Sequence, residues 1–288
     1  MFKSLLFVPG DSERKIEKAA ASGADILIYD LEDSVVPDRK AEARQITRAA
    51  LKNADRSICK YYVRVNSLDT EWIREDLAAV VPARPDGIVL PKCNSADDIK
   101  SLDALISSHE TEEAISRTKI IAIVTETPQG VLALTNPGWV QPRLAGMMWG
   151  AEDLSAEIGA TVNYDNGDYT EPFRLARNLC LIAARAAGVV PIDTVFADFR
   201  DEAGLTSLCQ KARRDGFEAK AAIHPAQVKP INDAFQATPE EIEWAKKVIT
   251  LLRESDSGVA SLDGKMLDMP HLRIAQKILA KAESGGKS

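Results

Sequence analysis

The stretch IIAIVTETPQGV (Ile120–Val131) combines two features that recur along this chain. Five apolar residues come first, and a polar turn that contains Glu126 and a Pro-x-Gly sequence follows them. A short, continuously apolar run that ends in turn residues is typical of a strand buried on both faces. Glu126 is thus placed where a buried strand ends, and the rest of the chain decides whether that position matters.

Seven further apolar runs occur, and each ends in polar, glycine or proline residues. They are SLLFVPG (Ser4–Gly10), DILIYDLED (Asp25–Asp33), KYYVRVN (Lys60–Asn66), DGIVLPK (Asp86–Lys92), LAGMMWGAED (Leu144–Asp153), PIDTVFADF (Pro191–Phe199) and AKAAIHP (Ala219–Pro225). Helical patterns separate the runs. Eight buried strands that alternate with helices predict a (β/α)₈ TIM barrel. A doubly wound open sheet is the alternative, but the turn after the first run, FVPGDSERK, lacks the G-x-G-x-x-G sequence expected there.

After the eighth run the pattern changes. A helix capped by Thr238 is predicted over Thr238–Ser255, a loop over 256–267, and a last helix from Asp268–Pro270 to about Glu283. This segment exceeds what a barrel needs. We therefore predict a catalytic barrel domain over residues 1–235 and a C-terminal helical extension, acting as a lid or an oligomer arm, over residues 236–288.

The composition is that of an ordinary globular protein, with 45% hydrophobic and 27% charged residues in 288. A net charge of −7 argues against general nucleic-acid binding. The sequence lacks both an apolar segment near the ~20 residues that span a membrane and a recognisable signal peptide. The four cysteines, Cys59, Cys93, Cys180 and Cys209, are widely spaced and fit reduced core thiols. These features predict a cytoplasmic protein.

The carboxyl ends of barrel strands ring one mouth, where active sites lie. The predicted strand ends carry Asp30, Glu32 and Asp33, Arg64 and Asn66, Lys92, Glu126, Glu152 and Asp153, Asp193 or Asp198, and His224. Each fits an ordinary role by itself: Lys92 suits a surface residue, and His224 suits a packed, hydrogen-bonded one. Together, carboxylates without a His or Cys cluster favour Mg²⁺ over zinc. The cation could polarise a chelated 2-oxo acid, and the arginine could stabilise an oxyanion.

An ordered set of motifs resembles the HpcH/HpaI aldolase superfamily, and more closely its branch of citrate lyase β-subunit-like proteins and malyl-CoA and citramalyl-CoA lyases. The motifs are SLLFVPGDSERKIEKAAASGADILIYDLEDSV, VRVN, GIVLPK, TETPQG, WGAEDL and AAIHPAQV. They cover nearly the whole chain in order. The resemblance implies a (β/α)₈ barrel that binds Mg²⁺.

The resemblance also implies roles for residues at the mouth. Glu126 and Asp153 match the metal ligands, and Arg64 matches the arginine that contacts the carbonyl or enolate oxygen of the substrate. The D-L-E-D motif places Asp30, Glu32 and Asp33 near the metal, mostly through water.

Two further matches concern coenzyme A and the acid/base. Arg14, Lys15 and Lys18 are candidates for binding CoA, although a solvated helix face explains them equally well. The segment LDGKMLDMPHLRIAQKIL resembles the C-terminal part of malyl-CoA and citramalyl-CoA lyases, where the Asp before Met-Pro comes from a neighbouring subunit and acts as acid/base. Here that residue is Asp268. From the residues alone, Asp268 also fits a helix N-cap.

The prediction is a Mg²⁺-dependent carbon–carbon lyase that cleaves a 3-hydroxy-3-carboxyacyl-CoA to acetyl-CoA and a 2-oxo acid. The active form is expected to be a homotrimer or a dimer of trimers. Alternatives are a malyl-CoA thioesterase or malate synthase-like enzyme, a citrate lyase β subunit, a metal-dependent aldolase of free sugar acids and a non-catalytic CoA-binding barrel. The oxo acid stays open among glyoxylate, pyruvate and oxaloacetate, because one methyl group changes binding by only about 1–3 kcal/mol.

Overall fold

Residues 2–110, 117–255 and 258–285 are described in the computed structural model. By their internal contacts these residues form two compact units, residues 2–234 and the described residues between 235 and 285. In these ranges we find no helix that combines the length and the apolar character needed to cross a bilayer.

The first unit contains a closed barrel of eight parallel strands, as the sequence predicts. In chain order the strands are β1 (Ser4–Pro9), β2 (Ile26–Asp30), β3 (Lys60–Arg64), β4 (Gly87–Leu90), β5 (Lys119–Ile123), β6 (Leu144–Met148), β7 (Tyr164–Asp165), β8 (Asp168–Tyr169), β9 (Val190–Asp193), β10 (Ala219–Ala222), β11 (Ala260–Leu262) and β12 (Lys265–Leu267). Strands β1 to β6, β9 and β10 form the barrel, and β1 closes it by pairing with β10. The other four strands form two small hairpins, β7–β8 in the first unit and β11–β12 in the second.

Helices follow the barrel strands, as a parallel sheet requires. They are α1 (Glu13–Ala20), α2 (Lys40–Lys52), α3 (Ile73–Val80), α4 (Ala96–Ser107), α5 (Pro128–Ala133), α6 (Glu152–Ile158), α7 (Glu171–Ala187), α8 (Glu202–Asp215), α9 (Val228–Ala234), α10 (Pro239–Arg253) and α11 (Met269–Gly285), with single 3₁₀ turns at Pro37–Arg39, Val81–Ala83 and Pro225–Gln227.

The barrel interior is an apolar core built from alternate strand positions. Ile26 and Ile28 of β2 pack there with Tyr62 of β3. Side chains two residues apart share a face of a strand. The same alternation therefore turns Asp30 and Arg64 inward, one step beyond the core, at the carboxyl ends of β2 and β3.

Two predicted strands end earlier than expected. The run Leu144–Asp153 is a strand only to Met148, so Asp153 lies in the first turn of α6 instead of on a strand. The run Pro191–Phe199 is a strand only to Asp193. Apolar residues continue beyond both strands, so the hydrophobic pattern alone did not mark where the strands end.

The second unit contains α10, α11 and the hairpin β11–β12. Thr238 caps α10 in a capping box with Glu241, as its position predicts. The prediction of a loop over 256–267 is wrong for the described residues, because Ala260–Leu267 form a hairpin around Asp263-Gly264. Both turn residues have positive φ, 50° and 75°. Asp-Gly is a strong signal for such a turn.

All four cysteines are buried free thiols, which agrees with the predicted core role. Burial raises the thiol pKa of Cys59, Cys93, Cys180 and Cys209.

Candidate active site

A cavity of about 380 Å³ opens at the carboxyl ends of the barrel strands. Six predicted residues line it together: Asp30, Asp33, Arg64, Glu126, Glu152 and Asp153. Apolar side chains, including Phe7 and Met148, form much of the remaining wall. The barrel thus gathers residues that are up to 123 positions apart in the sequence.

A two-point ion pair joins Asp30 and Arg64. The register of β2 and β3 sets these residues side by side. Nε and Nη2 of Arg64 donate to Oδ1 and Oδ2 of Asp30, both at 2.7 Å. Burial alone would raise the pKa of Asp30, but Arg64 lowers it below its ordinary value. Burial likewise opposes the charge of Arg64, but Asp30, Glu32 and Glu126 raise the pKa of the guanidinium. Both groups are therefore charged and fixed in orientation.

The third nitrogen of the guanidinium faces a second carboxylate. Nη1 of Arg64 lies 2.9 Å from Oε2 of Glu32, although this oxygen accepts no hydrogen bond of good geometry. The guanidinium also lies over the ring of Phe7, 4.9 Å from its centroid. Asp33 contacts it only weakly, at 3.9 Å, and is largely exposed. Asp30 is thus the main anchor of Arg64, and Asp33 is peripheral.

Lys92 lies among the carboxylates at the mouth, where its place at a strand end put it, and not as an isolated surface residue. Its Nζ is 2.5 Å from Oε1 of Glu32 and 3.3 Å from Oδ1 of Asp153. Its backbone N–H donates to Oε2 of Glu126 at 2.5 Å. Burial lowers the pKa of Lys92, but the bond to Glu32 and the nearby carboxylates raise it overall. The left-handed backbone at Lys92, with φ 49°, was not apparent from the sequence.

Glu126 is buried, with 4% of its surface exposed. Burial raises its carboxyl pKa to about 8, and the charges of Glu32 and Asp153 add to the effect. A Cβ atom placed on Gly150 would lie 2.7 Å from Cγ of Glu126, so the absence of a side chain there makes room for the carboxylate. Burial therefore disfavours the ionised form of Glu126, and positive charge beside the carboxylate favours it.

These residues fit Mg²⁺. Glu126 and Asp153 offer hard oxygen ligands in one cavity, and Mg²⁺ commonly takes one or two carboxylates with water and substrate oxygens. Among the described residues, no three His, Cys, Asp or Glu side chains form a ready metal site. The remaining coordination positions are thus left to water and substrate.

A buried polar network supports the loop that carries Glu32. Nζ of Lys40 donates to the carbonyl oxygens of Leu31 and Glu32 at 2.7 and 2.8 Å, and to Oδ1 of Asn66 at 2.7 Å. Asn66 in turn donates to Oδ2 of Asp76. Asn66 was expected at the mouth, but it belongs to this network. Sequence reasoning missed Lys40, since a lysine in a helix gives no sign that it is buried.

Other predicted residues lie outside the cavity. Arg14 and Lys18 are exposed on α1 and do not line it. Asp193 is buried in an ion pair with Lys220 at 2.7 Å. His224 stacks on Phe199 and accepts a backbone hydrogen bond, as its packed interpretation predicts.

Asp268 belongs to the second unit, directly before α11. Its Oδ1 lies 2.6 Å from Nδ1 of His271, and its side chain is 37% exposed. Its backbone N–H also points to Nδ1, at 3.3 Å. The contact with His271 was not predicted, although a residue directly before a helix commonly lies close to the residue three positions on.

Comparison with known proteins identifies the family. The profile of the HpcH/HpaI aldolase/citrate lyase family matches residues 3–225. A (3S)-malyl-CoA thioesterase of Cereibacter sphaeroides is 39% identical over 290 residues, covering 98% of this chain and 95% of that protein. The mitochondrial citramalyl-CoA lyase of Mus musculus is 32% identical, covering 98% of this chain and 86% of that protein.

A solved structure agrees with these matches. The protein CitE from Mycobacterium tuberculosis, in complex with magnesium, acetoacetate and coenzyme A, superposes with a TM-score of 0.82 at 30% identity, covering 98% of both chains. The predicted barrel with its C-terminal helices is thereby confirmed, and so is the prediction of a lyase. This chain belongs to the HpcH/HpaI aldolase/citrate lyase family.

Proposed function

We propose that this chain is a Mg²⁺-dependent carbon–carbon lyase that acts on a 3-hydroxy-3-carboxyacyl-CoA of the malyl-CoA or citramalyl-CoA type. The products are acetyl-CoA and a 2-oxo acid. The observation that carries the proposal is the position of Arg64, which Asp30 holds at two points in the same cavity as Glu126 and Asp153. A fixed guanidinium beside a pair of metal-binding carboxylates suits a substrate whose reacting oxygen becomes negative.

Glu126 and Asp153 are the residues that would hold Mg²⁺. Mg²⁺ held there would act as a Lewis acid toward the oxygens of the substrate. Lys92 donates its backbone N–H to Glu126 and sets the orientation of that carboxylate. The lining side chains Phe7 and Met148 keep part of the cavity apolar, which strengthens the interactions of its charged groups.

Arg64 stabilises the hydroxyl oxygen of the substrate as this oxygen gives its proton to solvent water and becomes the carbonyl oxygen of the oxo acid. The bond between the carbinol carbon and the acyl α-carbon breaks, and its electron pair forms the enolate of acetyl-CoA. A proton delivered to the α-carbon completes the reaction. The anchor on Asp30 keeps the guanidinium from turning away from this oxygen, since the pair is buried and bidentate.

Asp268 is the proposed donor of that proton. The resemblance to malyl-CoA and citramalyl-CoA lyases supports this role, and the contact with His271 holds the carboxyl in one orientation. In those enzymes the equivalent residue comes from a neighbouring subunit. The active form proposed here is accordingly a homotrimer or a dimer of trimers. Arg14 and Lys18, exposed on α1, are proposed to bind phosphates of CoA.

Hydrolysis of malyl-CoA is the second candidate, because the Cereibacter relative is named a (3S)-malyl-CoA thioesterase. Lyase and thioesterase outcomes differ in products, so one substrate separates them. Incubation with (3S)-malyl-CoA and Mg²⁺ is expected to yield glyoxylate and acetyl-CoA in equal amounts. Malate and free CoA without glyoxylate would assign the chain as a thioesterase.

The oxo acid is tested in the direction of synthesis. Acetyl-CoA is combined with glyoxylate, pyruvate or oxaloacetate, with Mg²⁺ or with EDTA. The preferred acid gives the higher kcat/KM, and EDTA is expected to abolish product. A relative named citrate lyase subunit beta, from Leuconostoc mesenteroides, is 33% identical. An activity confined to acyl groups on a carrier protein would favour that role over the use of free CoA.

A further inference from the structure

A second cavity, of about 370 Å³, lies between α7, α8 and the hairpin β7–β8. It shares no lining residue with the active-site cavity. Its charged residues are Arg174, Arg177, Lys211, Arg214, Asp168, Asp193 and Asp215. None of them takes part in the proposed reaction, and the inference below does not depend on that reaction.

The charges of this second cavity favour an anion. Asp193 is already neutralised by the buried Nζ of Lys220 at 2.7 Å. When Lys220 and Glu171, the partners of Asp193 and Arg174, are counted as well, five cationic side chains face four carboxylates. The chain as a whole carries a net charge of −7, so a local excess of positive charge runs against its general character.

Two largely buried side chains of the second cavity, Arg177 and Tyr169, have N–H or O–H groups without a hydrogen-bond acceptor among the described residues. Arg177 is 8% exposed. Within the described ranges its guanidinium donates one hydrogen bond, from Nη1 to Oδ2 of Asp215 at 2.9 Å, while its Nε lies 3.6 Å from Asp193. Four of its five N–H groups thus lack an acceptor there. Tyr169 is also 8% exposed, and its hydroxyl has no hydrogen-bond partner among the described residues. Both side chains line the second cavity, and their unpaired donor atoms are not sealed off from solvent, so a bound ligand or water can accept from them.

We propose that the second cavity binds the phosphate group of a small phosphorylated molecule. Arg177 and Tyr169 supply the buried donors, and Arg174 and Arg214 supply charge at the rim. The planar guanidinium matches two phosphate oxygens at once. The volume exceeds that of a phosphate ion, so the remaining space accommodates the group that carries the phosphate.

Binding there also reaches the wall of the active site. Trp149 lines the active-site cavity, and its Nε1 donates to Oδ1 of Asp193 at 2.6 Å. The rings of Trp149 and Tyr169 meet edge to face, 4.7 Å apart. A ligand held by Arg177 and Tyr169 therefore alters the surroundings of the Trp149 indole, which makes its fluorescence a reporter.

The test is calorimetric titration of the whole protein with inorganic phosphate and with glycerol 3-phosphate, at constant ionic strength and with EDTA. One saturable site per chain is expected, with tighter binding of the phosphate ester. Arg177→Met and Tyr169→Phe are each expected to weaken binding by about 10-fold or more, since each removes a hydrogen bond to a charged ligand. Arg185→Met is the matched control, because Arg185 lies on the same helix but pairs with Glu218 outside the second cavity.

Further variants keep the test decisive. Arg64→Met is expected to bind phosphate normally, and a loss there would place the anion in the active site and overturn the proposal. Should Arg177→Met fail to fold, as judged by circular dichroism, Tyr169→Phe and Arg174→Met carry the test. The site would be refuted if the wild type showed no saturable binding at ligand concentrations up to about 10 mM. It would also be refuted if Tyr169→Phe and Arg174→Met bound the ligands as tightly as the wild type does. The change in tryptophan emission is expected to vanish in Trp149→Phe, and its persistence would refute the coupling.

Discussion

Asp30→Asn tests whether a fixed guanidinium is what this site contributes to the reaction. In the wild type the carboxylate receives Nε and Nη2 of Arg64 and also the backbone N–H groups of Glu32 and Ser34. An amide can keep one oxygen in place, and its NH₂ group then faces two of these donors. At least two hydrogen bonds to a charged group are lost, each worth about 1.5–3 kcal/mol. We expect the free energy of unfolding to fall by about 3–5 kcal/mol.

Asp30→Asn is also expected to lower kcat, by more than the loss of folding stability accounts for. A misdirected donor at a developing oxyanion costs about 10²–10³ in kcat. Mg²⁺ affinity is expected to change little in Asp30→Asn, because Glu126 and Asp153 keep their positions. The assays are kcat at saturating Mg²⁺, Mg²⁺ titration by calorimetry, and urea denaturation.

Asp33→Asn is the matched control, since it removes the same charge from the same loop. Asp33 lies 3.9 Å from Nη1 of Arg64 and is largely exposed. The kcat of the Asp33→Asn variant is expected to stay within about threefold of the wild-type value, since exposed ion pairs contribute about 0–1 kcal/mol. Equal losses in Asp33→Asn and Asp30→Asn, or normal kcat in Asp30→Asn, would contradict the proposed role of the anchor.

Four other changes have distinct expected outcomes. The carboxyl pKa of Glu126 is raised to about 8, so the stability that the protonated carboxyl contributes in the absence of metal is lost as the pH rises from 4.5 through 8. Mg²⁺ is therefore expected to raise the melting temperature more at pH 8.5 than at pH 6. An equal rise in melting temperature at the two pH values would contradict this expectation. Gly150→Ala is expected to weaken Mg²⁺ binding at least 10-fold by displacing the Glu126 side chain, as measured by calorimetry. Lys40→Met is expected to lower the free energy of unfolding by roughly 2–4 kcal/mol, since two buried carbonyl groups and Asn66 lose their donor, and urea denaturation measures it. Asp268→Asn is expected to reduce cleavage by about 10²–10⁴-fold while the melting temperature falls only slightly; a lower melting temperature with normal cleavage would leave Asp268 as a helix cap alone.

The sequence predicted the barrel well because its strands are buried on both faces. Ile26 to Asp30, for example, lie in one unbroken buried run, and a run of that kind stands out without knowledge of its neighbours. The positions of Asp30, Arg64 and Glu126 followed for the same reason, since the ends of parallel strands share one edge. Asp153 also reached the site, although it lies on a helix.

What the sequence did not predict depends on partners far along the chain. Lys92 was expected at the mouth, but its left-handed backbone and its contacts with Glu32, Glu126 and Asp153 are not encoded by its neighbours in sequence. Lys40 is buried only because the loop after β2 offers it carbonyl groups. The two hairpins are a different case. Asn166-Gly167 and Asp263-Gly264 are recognisable local turn signals, and they were overlooked because the flanking strands are only two or three residues long.

The burial of all four cysteines has a practical consequence for measuring turnover. A thiol reacts with disulfide reagents only as an exposed thiolate. Each cysteine here is buried, and each thiol has a raised pKa. The thiols of the folded protein are therefore expected not to react with such a reagent at neutral pH. Coenzyme A released by hydrolysis carries a free thiol, whereas acetyl-CoA formed by cleavage does not. A continuous colorimetric record of thiol release therefore separates the two chemistries with the native enzyme, without substitution of any cysteine.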